Sequence, residues 1–153
     1  MMIEEIYDVI IVGSGMAGLS AAVFTARASL KTLVFGSKKD SMLASAKYVG
    51  NYLGLDGLGG LGVLKKSAKQ AKKYGAKILE KEVVHAEKKD EMFVVKTSDN
   101  QLYNSRALLI AVGAYLKPSG IKNEKEFLGK GVHSCVACDG FFYKNKNVAV
   151  IGN

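Results

Sequence analysis

Tyr7-Asp8-Val9-Ile10-Ile11-Val12-Gly13-Ser14-Gly15-Met16-Ala17-Gly18 is the stretch that decides the fold. Its first six residues form a nearly continuous β-branched run, the pattern of a strand buried on both faces. The run passes directly into a Gly-x-Gly-x-x-Gly turn. Residues 19–28 then read as a helix, with Ala21, Ala22 and Ala26 small enough to pack closely on a sheet. Residues 31–35 are a second strand, ended by Gly36-Ser37, which completes a βαβ unit of about thirty residues. A phosphate needs backbone N–H donors at short range and a helix N-terminus facing its charge. The three glycines supply the tight turn, the close approach and the close helix–strand packing that this requires. With a strand before it and a helix after it, the motif reads as dinucleotide-binding rather than as a structural turn. The acid that would grip a ribose 2′-OH is expected about 20 residues on. Gly36 stands there, after Phe35, and Asp40 lies farther along. The motif by itself therefore leaves NAD, NADP and FAD open.

Working outward, 153 residues with 48% hydrophobic content suffice for a core, burying roughly 70% of the surface that the unfolded chain exposes. Seventeen glycines against one proline favour tight turns over a proline-rich linker. Lys and Arg number 22 against 14 Asp and Glu, a net charge of +8. The densest lysines, Lys65, Lys66, Lys69, Lys72 and Lys73, fall on a helix predicted over 61–74, stopped by Gly75. Leu61, Leu64, Ala68 and Ala71 make its buried face and leave the lysines as a solvated one. No aromatic residues interleave with them as a stacking platform requires, so we expect no nucleic-acid partner. The longest apolar stretch, 107–116, is about half a membrane span. The N-terminus, Met1-Met2-Ile3-Glu4-Glu5, is acidic where an export signal needs positive charge. A cytoplasmic chain with no membrane contact is expected.

Residues 41–62 read as loop. Three β-like segments follow at 76–86, 92–97 and 102–106, with turns at Lys88-Lys89-Asp90 and Ser98-Asp99-Asn100. Residues 107–112 are another buried strand, closed by Gly113. Pro118, Gly120 and the charged run to Lys125 mark a boundary. Residues 147–151 predict a last strand, followed by Gly152-Asn153, whose crossover lies beyond the chain. We therefore expect the N-terminal part of something about twice as long, an α/β fold incomplete at its C-terminus.

Cys135 and Cys138 are the only two cysteines, in a C-x-x-C arrangement followed by Asp139. Two thiols that close can cycle between dithiol and disulfide, one attacking a partner and the other resolving the mixed disulfide. Asp139 and His133 stand where either can give or take a proton, although Asp139 is also a turn residue before Gly140 and His133 suits a surface role. Two readings compete: zinc, with His133, Cys135, Cys138 and Asp139 as ligands, and a pair of inert buried thiols. Structural zinc usually draws on two separate pairs, and the only other histidine is His85.

The blocks YDVIIVGSGMAGLSAAVFTARASL, VGNYLG (49–54), AVGA (111–114) and GKGVHSCVACDGFFYKNKNVAVIG (129–152) together resemble the low-molecular-weight thioredoxin reductases nearly end to end. The resemblance implies a Rossmann-like FAD-binding fold with a three-stranded β excursion. It places the first part of the flavin domain at 1–116 and the start of an NADPH-binding domain, carrying the dithiol, at 117–153. It implies a flavoprotein oxidoreductase that passes electrons from NADPH through FAD to the Cys135–Cys138 disulfide and on to thioredoxin, homodimeric when full length. It assigns Gly13, Ser14, Gly15, Met16, Ala17 and Gly18 to the FAD pyrophosphate, and Phe35, Gly36 and Ser37 to the adenosine ribose. Asn51 goes to the flavin, Val83 to the adenine, and Ala111, Val112 and Gly113 along the cofactor. Cys138 faces the flavin, Cys135 is its exchange partner and Asp139 is the acid/base. Three departures stand out: Asp40-Ser41-Met42-Leu43 replaces a Gly-Gly-Gln segment, Gly50 replaces a Glu, and Val112 replaces the Thr of an A-T-G strand end. The NADPH phosphate motif is expected beyond Asn153, so the 153 residues alone are expected to be inactive. The alternatives are a related reductase fed by NADH, ferredoxin or another carrier, and a truncated, non-catalytic nucleotide- or zinc-binding module.

Overall fold

A six-stranded sheet in the order β3-β2-β1-β6-β5-β4 carries the first part of the molecule. The computed structural model describes residues 5–114 and 119–151, with residues 137 and 138 by backbone alone. The boundary expected at 116–117, Pro118 and Gly152-Asn153 lie outside the described residues. The chain divides into two compact units, Met1–Ala114 and Tyr115–Asn153.

In the first unit the elements run β1 (Ile6–Val12), α1 (Met16–Arg27), β2 (Thr32–Phe35), two 3-10 turns (Lys38–Asp40, Met42–Ser45), α2 (Gly60–Lys73), β3 (Lys77–Leu79), β4 (Val83–Lys89), β5 (Met92–Thr97) and β6 (Leu102–Ile110). β3, β2, β1 and β6 are parallel; β6, β5 and β4 are antiparallel. The apolar runs of β1 and β2 are buried on both faces, as parallel strands require. The run 107–112, expected as a buried strand, is not, since Leu108 and Leu109 are half-buried and Ile110 and Val112 exposed. Val9, Ile11 and Val34 pack against Ala22 and Ala26 of α1 and Ala71 of α2. Ile10, Leu33 and Phe35 pack on Tyr7 and on Val95 of β5. Ile10, Ile11, Leu33, Val34 and Phe35 are all fully buried, each stabilising by roughly 1.5–3 kcal/mol relative to exposure. On α2 all five lysines are exposed, as expected, and Leu64, Ala68 and Ala71 are buried. Val63 joins them in place of Leu61, whose turn sets the Gly60 backbone against the Leu43 carbonyl.

Two strand readings change. The segment 76–86 splits: Lys77–Leu79 pairs parallel with β2, whereas Val83–Lys89 pairs antiparallel with β5. Conversely 102–106 and 107–110 are one strand, because Asn104 and Ser105 pair with β5 on one side and β1 on the other.

The second unit has two single-turn helices, α3 (Glu124–Phe127) and α4 (Val136–Asp139), and a 3-10 turn at Gly140–Tyr143. None of its described side chains is buried. Residues 147–151 form no strand: a strand exists only as a paired ladder, and no described segment pairs with this one. Val148, Val150 and Ile151 are exposed accordingly.

Asp8 ties three parallel strands at their N-terminal ends. Its Oδ2 accepts from the Lys31 N–H at 2.8 Å and its Oδ1 from Arg106 of β6 at 2.6 Å. The Lys31 amide, and after it Arg106, hold its carboxyl below the usual value of 3.8. A carboxyl with a depressed folded-state pKa contributes stability above its ordinary value, and that contribution is lost as pH falls through the folded value. Asp8→Asn therefore lowers the urea midpoint at neutral pH and flattens the loss of stability on acidification below about pH 4, measured by circular dichroism.

Candidate functional site

β1, β2 and β6 end in register, with Val12 opposite Phe35 on one side and Ile110 on the other. The Gly13 N–H donates to the Phe35 carbonyl at 2.8 Å, and the Ala111 N–H donates to the Val12 carbonyl at 2.7 Å. The fold thereby gathers Gly13–Gly18, Phe35–Ser37 and Ala111–Gly113 at one end of the sheet. Gly13 has φ +117°, and a Cβ there would stand 2.1 Å from the Ala111 carbonyl oxygen. A Cβ at Gly18 would stand 1.8 Å from the Gly13 carbonyl oxygen. At Gly36, φ +133°, it would lie 2.9 Å from the Ser14 nitrogen.

Gly15 differs. It caps α1 from extended backbone, no side chain caps the helix, and no acid lies in the first turn. A Cβ at Gly15 would make only an ordinary 3.6 Å contact with Ser41 Oγ. The first-turn amides of α1 are thus left for an anion. Beside them Ser14 is 2% exposed, and its hydroxyl has no hydrogen-bond partner among the described residues. A buried, unpaired hydroxyl costs about 1–3 kcal/mol, and a phosphate oxygen would satisfy it. The residues present fit a dinucleotide pyrophosphate.

Val83 opens β4 and packs in the cluster of Phe35, Leu33 and Ile10. Asn51 is exposed in the loop after Val49, and among the described residues no hydrogen bond ties it to the cradle. That loop is not featureless: Val49 bridges Leu58, and Tyr48 donates to Asp56. Ser41, which faces Gly15, escapes a sequence reading because nothing in the 3-10 turns around it signals proximity to a residue 26 positions earlier.

Separate from the cradle, the second unit carries the cysteines. The Asp139 N–H donates to the Cys135 carbonyl at 3.0 Å, closing the single turn of α4. Cys135 is disulfide-bonded; the side chain of Cys138 lies outside the described residues. His133 Nδ1 lies 3.0 Å from Asp139 Oδ2, and its ring meets Tyr143 edge-on at 5.4 Å. The surface role expected for His133 gives way to a pairing with the carboxylate next to the cysteines. Among the described residues no group of three or more His, Cys, Asp or Glu is placed to hold a metal ion.

The profile of the pyridine nucleotide-disulphide oxidoreductases matches residues 7–153. The chain belongs to that family. Within the family, a thioredoxin reductase of Aquifex aeolicus is 39% identical over 98% of this chain and 47% of its own length. One of Treponema pallidum is 42% identical over 97% of this chain and 49% of its own. The solved thioredoxin reductase from Giardia duodenalis superposes with a TM-score of 0.81 at 31% identity, covering 90% of this chain and 45% of that one. The chain thus spans about half the length of the curated relatives it matches. Its fold is the family's α/β, Rossmann-like sheet with a three-stranded antiparallel excursion. Among the described residues no helix is long and apolar enough to cross a membrane.

Gly15 and Gly18 should respond oppositely to the same added methyl. Gly18→Ala drives Cβ into the Gly13 carbonyl and should cost about 3 kcal/mol in urea unfolding. Gly15→Ala should leave the urea midpoint nearly unchanged.

Proposed function

We propose that this chain is the cradle-and-dithiol half of a thioredoxin-disulfide reductase. FAD, charged by NADPH, supplies when bound the two electrons that open the Cys135–Cys138 disulfide. In this reading Gly13, Ser14, Gly15, Met16, Ala17 and Gly18 bind the pyrophosphate through backbone amides and the Ser14 hydroxyl. Phe35, Gly36 and Ser37 border the ribose, and Val83 the adenine. Ala111, Val112 and Gly113 close the cradle from β6, and Asn51 lies toward the flavin. Cys138 and Cys135 carry the exchange, and Asp139 holds or releases a proton beside them. The physiological acceptor is thioredoxin or a similar small disulfide protein, and the protein works as a cytoplasmic homodimer.

The observation that carries the reading is the disulfide at Cys135. It sits in a chain whose other unit leaves a buried hydroxyl and uncapped helix amides at an open strand end. A metal-ligating pair would leave Cys135 as thiolate rather than disulfide. Thioredoxin's couple lies at about −270 mV, and in a two-electron exchange each 30 mV of mismatch costs only about 1.4 kcal/mol.

The whole protein that carries these residues should purify yellow, with flavin absorbance bands, and reduce thioredoxin with NADPH. Cys138→Ser should abolish that reduction while the flavin stays bound. Colourless protein that takes up no added FAD would overturn the reading. In the same protein Ser14→Ala should weaken FAD retention about tenfold, the loss of one hydrogen bond to a charged group, without lowering the stability of the flavin-free form.

A further inference from the structure

We propose that His133 is a positioning residue for the dithiol, holding the carboxylate of Asp139, the residue that follows Cys138, so that the pair can pass a proton during disulfide exchange. The inference rests on the reading of Cys135 and Cys138 as a redox pair. The geometry is local to the second unit. His133 lies two residues before Cys135, and its Nδ1 comes within 3.0 Å of Asp139 Oδ2. Both side chains are largely shielded, at 21% and 33% exposure. The Asp139 N–H on the Cys135 carbonyl closes the turn of α4 and sets where the Asp139 side chain leaves it. The imidazole is held in turn by the Tyr143 ring at 5.4 Å. Among the described residues, Asp139 of α4 and Tyr143 of the following 3-10 turn are the titratable groups that meet His133.

A proton source is what the chemistry lacks without the imidazole. An imidazole and a carboxylate 3.0 Å apart can hold and pass a proton as a pair, which a lone carboxylate at neutral pH does poorly. In thiol exchange an incoming thiolate attacks one sulfur, a new S–S bond forms, and the old one breaks with its electron pair on the departing cysteine. That sulfur takes one proton. With dithiothreitol as reductant, its second thiol then displaces the remaining cysteine, dithiothreitol leaves as its cyclic disulfide, and the second sulfur is likewise protonated. Asp139, adjacent in sequence to Cys138, is the group through which the imidazole's proton reaches the sulfur.

The test uses the 153-residue chain and needs neither flavin nor NADPH. The disulfide is opened with dithiothreitol between pH 5.5 and 8.5, and rates are corrected for the dithiothreitol thiolate fraction. His133→Asn keeps a donor near Nδ1 without a titrating ring, and His133→Phe keeps the ring against Tyr143 without a donor. Both variants should run about tenfold slower than wild type at pH 6 and converge with it at the alkaline end. A variant that keeps its fold by circular dichroism and retains the wild-type profile overturns the proposal, and the other variant decides if one misfolds. Asp139→Asn separates the two levels of inference. If it slows opening while the His133 variants do not, only the role of His133 falls. If neither it nor they change the rate, the acid/base reading of Asp139 falls with it.

Discussion

A single backbone contact underlies the molecule: the carbonyl oxygen of Gly13 occupies the place where a side chain at residue 18 would begin. A Cβ there would meet that oxygen at 1.8 Å, so the turn and the helix behind it can close only with hydrogen at position 18. Closure lets Val9 and Ile11 reach Ala22 and Ala26, and it aims the amides of the first turn past the strand ends. Ala111 crosses over the turn at similarly short range, so three strand ends are brought to one place by atoms that have no freedom to differ. Whatever chemistry the cradle supports depends on that crowding.

The glycines divide by what their missing side chains make room for. At Gly13, Gly18 and Gly36 the space is taken by protein backbone. At Gly15 nothing of the protein comes nearer than Ser41 Oγ, and the neighbouring Ser14 hydroxyl is buried without a partner. Among the described residues Ser14 Oγ is the one buried side-chain polar atom without a hydrogen-bond partner. Unmet donors beside an uncapped helix turn favour an anion, and the family's cofactors carry one.

The βαβ unit was legible because each signal agreed with the next: a β-branched run, a glycine turn, a helix with small residues on one face and a second apolar run. The lysine face of α2 was legible for the same reason, through helical spacing. Misreadings arose where pairing partners, not local preference, decide the state. Residues 76–86 look like one strand, yet their two halves are claimed by different neighbours, β2 and β5. Residues 147–151 have the composition of a buried strand and find no described partner. The contact of His133 with Asp139 went unseen because its partner is six positions away, across a turn whose direction no sequence pattern specifies. The cysteine spacing and the Asp139 that follows it stand in the sequence; the pairing of His133 with Asp139 needed coordinates.

β6 serves two masters. Its Asn104 and Ser105 are hydrogen-bonded both to the antiparallel ribbon and to β1, and the strand continues without a break to Ile110 at the rim of the cradle. A ribbon joined by a loop could fray while the core stayed intact. One riveted through a shared strand must open together with it, so slow amide exchange in β5 and in β1 should report the same cooperative event. Movement of the ribbon would then be felt at Ala111 as a change in tilt, some distance from where it began.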